Sequence, residues 1–293
     1  MALRGKTPTT IEKRLKCLFY GTAGAGKTTA AIQFPKPYLI DTEKGAENDT
    51  YTKLLEKQGG VIFQTHDFDE LLKEVKALLV EKHDYKTLII DPLTVIYNSM
   101  LDRASEKVGT EFGRHYGEAN KGMQKLLLLL TRIDMNVIIT SHAKNEYGDN
   151  LKVLGTTFDC YKKLDYLFDL VIEIQKKGRQ RMGVVKKTRI QAFEEMETFP
   201  FSYDAIADKY GRKILEKDAV AQKLASQDQV LEIVHLISLL KIEEDVVNKW
   251  LAKADASSFD EMEEGQILKC INFLKDKLSA PKVEQPAKLA VAA

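Results

Sequence analysis

Residues 21–34, GTAGAGKTTAAIQF, place three glycines and a lysine in front of a run of good helix formers. Glycine has no Cβ, so the backbone can approach a ligand closely and aim several amide N–H groups at one anion. The start of a helix adds unpaired N–H groups and the positive end of the helix dipole. The spacing G-x-x-x-x-G-K-T is that of a nucleotide phosphate loop. A glycine turn with a chance lysine is the weaker interpretation, because a buried-strand pattern precedes the loop.

In such a loop the backbone cradles the phosphates, the lysine reaches the terminal ones, and the hydroxyl holds Mg²⁺. We therefore predict that the nucleotide contacts Gly21, Thr22, Ala23, Gly24, Ala25, Gly26, Lys27, Thr28 and Thr29.

Acidic residues follow two further strand patterns. The stretch TLIID ends in Asp91, where this kind of fold places the carboxylate that orders Mg²⁺, so we predict Thr28 and Asp91 as metal ligands. Capping of the following helix is the alternative role for Asp91. Asp41 and Glu43 follow the stretch YLI, and we favour Glu43 as the group that orients the attacking water. Loop capping is the alternative for both of these acids.

The stretch VIITSH ends in a polar pair, Ser141 and His142. A hydroxyl or a neutral imidazole at a strand end can hydrogen-bond the γ-phosphate and report its loss to the next loop. We predict this role for His142, against the alternative of a structural histidine.

Apolar strand patterns alternate with helical patterns, which predicts an α/β fold with a mostly parallel, helix-covered sheet. Residues 169–190 differ, because two strand patterns flank a basic turn at Gly178 and so predict an antiparallel edge hairpin. The strand patterns stop near Ala219 and helical patterns continue. We predict an N-terminal arm (1–14), an ATPase core (15–215), a helical module (219–280) and a disordered tail (281–293).

The chain has 293 residues and a net charge of +1, so bulk charge argues neither for nor against nucleic acid. Its three cysteines are far apart and include no CxxC pair, which suits a reducing cytoplasm. No apolar run is long enough to span a bilayer, so we expect no membrane association. The helical module is acidic, with twelve acidic and five basic residues between Glu216 and Glu264.

The ordered set of motifs GTAGAGKT, IDTE, LIIDPLT, VIITSH and GVVKKTRI resembles the core of RecA-type recombinases. It is most similar to the shortened RecA-like ATPases of phages, some of which anneal single strands. The resemblance implies a RecA-like P-loop NTPase core that uses ATP and Mg²⁺, with Lys27, Glu43 and His142 in catalysis. It also implies that basic hairpin residues reach a neighbouring subunit's ATP, which assigns that role to Lys186, Lys187 and Arg189. A DNA-facing basic strip is the alternative for this hairpin.

The same resemblance implies two DNA-binding loops, which correspond to residues 102–121 and 143–155. Basic side chains there would follow the phosphates and tyrosines would stack on bases. The predicted DNA-binding residues are Arg103, Lys107, Arg114, Tyr116, Lys144, Tyr147 and Lys152. Ordinary solvated loops are the alternative, because acidic residues are interspersed.

These features together predict a Mg²⁺-dependent ATPase that binds single-stranded DNA as a homo-oligomer and promotes annealing or strand exchange. A nucleotide-switched interaction protein, whose acidic helices recruit replication or recombination proteins, is the second hypothesis. A helicase-loading ATPase is the third.

Overall fold

The computed structural model describes residues 13–45, 49–148, 152–254 and 256–279. Residues 1–12 of the predicted arm and the whole predicted tail, 281–293, lie outside this description. The chain divides into two compact units, Met1–Ala221 and Gln222–Ala293. Among the described helices, none is both long and apolar enough to cross a membrane.

The first unit carries the strands. In the described residues they are β1 (Lys16–Gly21), β2 (Pro37–Asp41), β3 (Val61–Gln64), β4 (Thr87–Asp91), β5 (Asn136–Tyr147), β6 (Val153–Phe158), β7 (Leu170–Lys177), β8 (Gln180–Thr188) and β9 (Thr198–Pro200).

Helices connect these strands and make up the second unit. They are α1 (Lys27–Ile32), α2 (Asp49–Gln58), α3 (Phe68–Val80), α4 (Leu93–Val108), α5 (Arg114–Arg132), α6 (Leu164–Leu167), α7 (Tyr203–Tyr210), α8 (Arg212–Leu215), α9 (Gln227–Leu240), α10 (Glu244–Lys253) and α11 (Glu264–Ser279).

The sheet has the order β3-β2-β4-β5-β1-β7-β8-β9, with β6 added to the extended end of β5. The six strands from β3 to β7 in this order are parallel, whereas β8, β9 and β6 pair antiparallel with their neighbours. The predicted α/β fold, with a mostly parallel sheet, an antiparallel edge hairpin and C-terminal helices, is confirmed. In the register, Gly21 is opposite His142 and Asp41 is opposite Asp91, so all four lie at one edge.

The central strands β1 and β4 are buried along their whole length, which explains their nearly continuous apolar sequences. Phe19 of β1 makes an edge-to-face contact with Phe201, with ring centroids 5.1 Å apart. Phe34, directly after α1, packs in the same way on Tyr203 at 4.8 Å. These rings fix α1, and therefore the loop before it, against the sheet.

The second unit has its own core of residues from α9 and α11, including Ile233, Ile267 and Leu274, which are fully buried. Its first helix begins with a reciprocal cap, in which the Ser226 side chain accepts the N–H of Gln229 and the Gln229 side chain accepts the N–H of Ser226.

Candidate active site

The phosphate loop joins β1 to α1. Its glycines are required at their positions for different structural reasons. A Cβ on Gly21 would lie 2.5 Å from the carbonyl oxygen of Ile174 on β7, so no larger residue fits there. Gly24 and Gly26 have φ angles of +68° and +92°, in the left-handed region that strains other residues. The spacing seen in the sequence therefore reflects one close strand contact and two backbone turns.

Lys27 is nearly buried under the loop. Its Nζ donates to the carbonyl oxygens of Gly21, at 2.9 Å, and Thr22, at 3.1 Å. Burial lowers its pKa, while the nearby carboxylates of Asp91 and Glu43 act in the opposite direction. The amine is held by neutral carbonyls at the place where the loop would receive phosphate charge.

Thr28 and Asp91 meet at the adjacent strand end. The Thr28 hydroxyl donates to Asp91 Oδ2 at 2.6 Å, and the Thr140 hydroxyl donates to the other carboxylate oxygen. Burial raises the pKa of Asp91, opposed by these two hydrogen bonds and by Lys27. Helix α4 begins at Leu93 without a side-chain cap, so Asp91 does not have the alternative capping role.

Thr28 and Asp91 suit Mg²⁺. Within the described ranges no group of three or more His, Cys, Asp or Glu side chains could hold a metal ion. Mg²⁺ in nucleotide sites commonly takes one or two carboxylates and completes its shell with phosphates and water. One hydroxyl and one carboxylate in contact fit an ion that arrives with the nucleotide.

The two acids after β2 separate in space. Asp41 is buried, and its Oδ1 accepts the N–H groups of Glu43, at 3.2 Å, and Gly45, at 3.3 Å. Glu43 points elsewhere, because its Oε1 lies 3.0 Å from Nε2 of His142. Both members of this pair are about half exposed. The structure thus joins two residues that were proposed from separate motifs, and gives loop capping to Asp41.

His142 stands where β5 leaves the parallel sheet. Its N–H donates to the Thr94 hydroxyl at 3.0 Å, and that hydroxyl also contacts the Ser141 hydroxyl at 3.0 Å. Its carbonyl oxygen accepts the N–H of Asp159, just after β6, at 2.8 Å. The residue therefore links the edge that carries the phosphate loop to the β5–β6 hairpin.

The AAA domain family matches residues 13–200 of the sequence. The chain belongs to the AAA domain family. With the phosphate-loop geometry, this membership confirms the prediction of a nucleotide-binding P-loop NTPase.

Solved structures that resemble this AAA domain share little sequence with it. The crystal structure of the RadB recombinase is 18% identical, with a TM-score of 0.46, over 64% of this chain and 86% of that chain. The structure of a DnaB-like replicative helicase is 11% identical, with a TM-score of 0.43, over 65% of this chain and 55% of that chain. No curated protein sequence matches the chain significantly.

The hairpin residues expected to act across a subunit boundary lie mostly at the other end of β8 from the loop. Lys187 is opposite Val171, near the start of β7, and its Nζ donates to the carbonyl oxygens of Asp165 and Phe168. Burial lowers the pKa of Lys187. Arg189 Nη2 donates to a carbonyl oxygen at 2.8 Å, and Lys186 Nζ lies 3.6 Å from Glu173. Their action on a neighbour's nucleotide stays a prediction.

The first predicted DNA-binding loop is wrong as a loop. Residues 102–121 form the end of α4, a short turn and the start of α5, because the helical pattern continues on both sides of Gly109. Two of its cations have carboxylate partners, Arg103 with Asp67 and Lys107 with Glu118.

The other two residues predicted to bind DNA in segment 102–121 lie at the start of α5. Arg114 is exposed and is the first residue of the helix. Tyr116 is 51% exposed, and its ring centroid lies 4.2 Å from that of His115.

The second predicted loop, 143–155, lies mostly in paired strands, since 143–147 belong to β5 and 153–155 to β6, with 149–151 outside the described residues. Lys144 pairs with Asp159 at 3.0 Å. Tyr147 is 56% exposed, and Lys152 is exposed as well.

Sequence reasoning missed Arg181 and Phe112. Arg181 lies beside Gly26, because an antiparallel return strand begins at the edge where the parallel strands end. The predicted hairpin topology contained this information. Phe112 is 97% exposed in the turn between α4 and α5, and nothing in the sequence pattern distinguishes it from a core phenylalanine.

Proposed function

We propose that this AAA domain protein is a Mg²⁺-dependent ATPase of the shortened phage-recombinase type. It binds single-stranded DNA as a homo-oligomer and promotes annealing or strand exchange. The observation that carries the proposal is the 3.0 Å contact between Glu43 and His142. This contact lies between the phosphate site and a hairpin that is exposed to solvent.

The phosphates are held by the loop backbone and by Lys27. On binding, the ammonium group exchanges the carbonyl oxygens of Gly21 and Thr22 for phosphate oxygens, which carry more negative charge. Thr28 and Asp91 hold Mg²⁺, whose chemistry is the neutralisation of phosphate charge. Asp91 must be ionised for this role, so its raised pKa makes binding sensitive to acid.

Glu43 orients the attacking water in this proposal, as a carboxylate that accepts a hydrogen bond from it. His142 contacts the Glu43 carboxylate through Nε2. When ATP is present, its terminal phosphate competes with Glu43 for this imidazole. Loss of that phosphate returns His142 to Glu43. Because the His142 carbonyl oxygen is hydrogen-bonded to Asp159, the exchange moves the base of the β5–β6 hairpin.

Single-stranded DNA then meets two elements of the same unit. The β5–β6 hairpin offers Tyr147 and Lys152, and the α4–α5 turn offers Phe112, Arg114 and Tyr116. Exposed aromatic rings can stack on bases of any sequence, and exposed cations can follow the phosphates.

Fluorescence anisotropy on a short labelled single strand tests the proposal directly. With ATP, binding is saturable, and log Kd rises with log salt by about 0.7 for each phosphate contacted. ADP weakens binding, because the terminal phosphate is missing. An ATP-bound protein without saturable binding at low salt would overturn the DNA-binding function.

The second candidate, a nucleotide-switched interaction protein, is favoured by one observation. Arg103, Lys107 and Lys144 are each paired with a carboxylate and so offer less charge to DNA than the sequence suggested. In that function ATP changes the β5–β6 hairpin, and the acidic helical unit recruits replication or recombination proteins. ATP-dependent protection of the hairpin from protease, without any DNA binding, would favour it.

A further inference from the structure

An open cleft of about 420 Å³ lies beside the phosphate loop in the first unit. Its walls come from the loop and α1 on one side, and from α2 and the β7–β8 hairpin on the other. The residues that matter here are Gly26, Thr29, Gln33, Tyr51, Arg181 and Phe201.

Arg181 brings a cation to this cleft. A Cβ built on Gly26 would lie 3.8 Å from Cγ and 3.9 Å from Nε of Arg181, so the side chain runs along the loop. The backbone there is fixed, because the N–H of Phe201 donates to the Arg181 carbonyl oxygen at 2.8 Å.

No carboxylate pairs with Arg181 in the part of the chain that the structure describes, unlike Lys144 or Arg103. Arg179, which is exposed at the turn, lines the outer end of the same cleft. A half-buried cation beside a phosphate loop, without an acidic partner, suits an anionic ligand.

The cleft also has the composition expected for a nucleoside. Phe201 forms an apolar floor, buried against Phe19. Tyr51 from α2 provides an aromatic wall, and Gln33 provides an amide that can both donate and accept. An apolar floor with a few polar groups is typical of small-molecule sites.

We propose that this cleft holds the nucleoside half of the bound nucleotide, and that Arg181 contacts its α-phosphate in cis, from the same chain as the loop. The inference rests on the proposed ATPase function and assigns Arg181 to positioning the nucleotide. Phosphates in the loop leave the nucleoside to continue past Thr29, which is where the cleft lies. The role differs from that expected of Lys187, at the far end of β8, and of Arg189, just beyond that end.

Isothermal titration of the full chain with Mg-ATP and Mg-ADP tests the contact. Arg181→Ala raises Kd about tenfold for both nucleotides, because both carry the α-phosphate. Arg181→Lys raises it less, since the charge remains. Lys177→Ala removes a cation from the same hairpin at a position outside the cleft and leaves Kd within about twofold. Unchanged Kd in Arg181→Ala, or a loss for ATP alone, would overturn the assignment.

Tyr51→Ala tests the nucleoside half. It raises Kd for ATP about tenfold and leaves Kd for inorganic triphosphate unchanged, because only ATP has a base to stack. Equal effects on the two ligands would show that the base does not bind in this cleft.

Mixing distinguishes cis from trans. The Lys27→Ala protein keeps Arg181 but loses its own tight site, so an excess of it leaves the weak affinity of Arg181→Ala unchanged if Arg181 acts in cis. Recovery of tight binding would show action in trans and overturn the proposal. If the unsubstituted protein binds no ATP, the proposed function fails; if it binds and Arg181→Ala matches it, only this inference fails.

Discussion

Asp41 and Glu43 stand two residues apart after β2, and their carboxylates have different surroundings. Asp41 accepts hydrogen bonds from two backbone N–H groups of the loop, whereas the Glu43 carboxylate contacts the imidazole of His142. Oδ1 of the buried Asp41 is occupied by two backbone donors, whereas the Glu43 carboxylate is half exposed beside His142, where a water molecule has access. This difference assigns the proposed chemical role to Glu43.

Glu43→Gln should retain ATP binding and slow hydrolysis by about 100-fold or more, because an amide polarises water poorly and cannot accept its proton. Titration calorimetry and a phosphate-release assay measure the two quantities separately. Asp41→Asn is the matched control, and we expect it to lower thermal stability more than Glu43→Gln does. A slower rate in Asp41→Asn alone would exchange the two roles.

Lys27→Ala should weaken ATP affinity by about 100-fold, because it removes the side-chain cation beneath the loop. Calorimetry on the folded variant measures this. The matched control is Lys36→Ala, an exposed lysine paired with Asp84, which should leave affinity unchanged. Equal affinity in Lys27→Ala and the unsubstituted protein would remove the phosphate-loop interpretation.

Lys16 of β1 provides a pH test at the residue scale. Burial lowers its pKa to about 7, and its Nζ donates to the carbonyl oxygens of Ile133 and Met135 at 2.8 and 2.9 Å. A neutral amine still has two N–H groups for these two acceptors. Because the unfolded chain keeps the ordinary pKa of 10.5, it binds the proton more tightly than the folded chain between these values.

Stability should therefore rise with pH between about 7 and 10.5, by up to about 1.4 kcal/mol per pH unit from this group. Below pH 7 both states hold the proton and the contribution of Lys16 is constant. Urea unfolding of Lys16→Met across this window should show a smaller slope than the unsubstituted protein. An equal slope would mean that Lys16 is charged in the folded state.

At the scale of elements, the α4–α5 turn presents Phe112 to solvent at a φ of +53°. Non-glycine residues seldom adopt this conformation, and the ring gains no packing from it. The turn thus keeps an exposed aromatic group near Arg114 at some conformational cost, which suits stacking on a base.

Phe112→Gly should lower single-strand affinity by about 1 to 3 kcal/mol and leave the salt slope unchanged, because stacking releases few ions. Arg114→Ala should instead flatten the slope by about one phosphate contact. Glycine relieves the backbone strain, so thermal stability should not fall in Phe112→Gly. Anisotropy at several salt concentrations separates the two effects, and unchanged affinity in both variants would exclude this turn from the DNA site.

At the scale of the whole molecule, each of the two units has its own buried core. The residues proposed to bind and hydrolyse ATP all belong to Met1–Ala221. The second unit, Gln222–Ala293, has an excess of acidic residues up to Glu264, and the second candidate function assigns it to interactions with other proteins.

Subunit sharing is tested by mixing. If Lys186 acts on a neighbour's ATP, Lys186→Ala binds ATP but hydrolyses it slowly, and adding Lys27→Ala protein restores part of the rate. One subunit then supplies the pocket and the other supplies Lys186. Lys187→Ala is a poor substitute for this test, since Lys187 holds two carbonyl oxygens within its own chain. No recovery in confirmed mixed oligomers would argue against shared sites.

Local patterns in the sequence were enough to predict the parallel strands of the sheet, the phosphate loop, the edge hairpin at Gly178 and the change to helices near Ala219, but not β6 or β9. Each depends on a short-range cause, such as alternating burial, glycine backbone freedom or helix periodicity. The same reasoning placed Asp91 at a strand end, where the structure finds it in contact with Thr28. The two segments that the family resemblance assigned to DNA-binding loops instead form the end of α4 and the start of α5 with the turn between them, and the β5–β6 hairpin.

Tertiary structure decided which of these residues meet. Glu43 and His142 are 99 positions apart, and their contact follows from the strand order that places β2, β4 and β5 side by side. Arg181 reaches Gly26 because β8 runs antiparallel and begins at the nucleotide edge. The carboxylates that neutralise Arg103, Lys107 and Lys144 likewise come from other elements. Charge pairing and site assembly depend on distances in space, which no local pattern along the chain encodes.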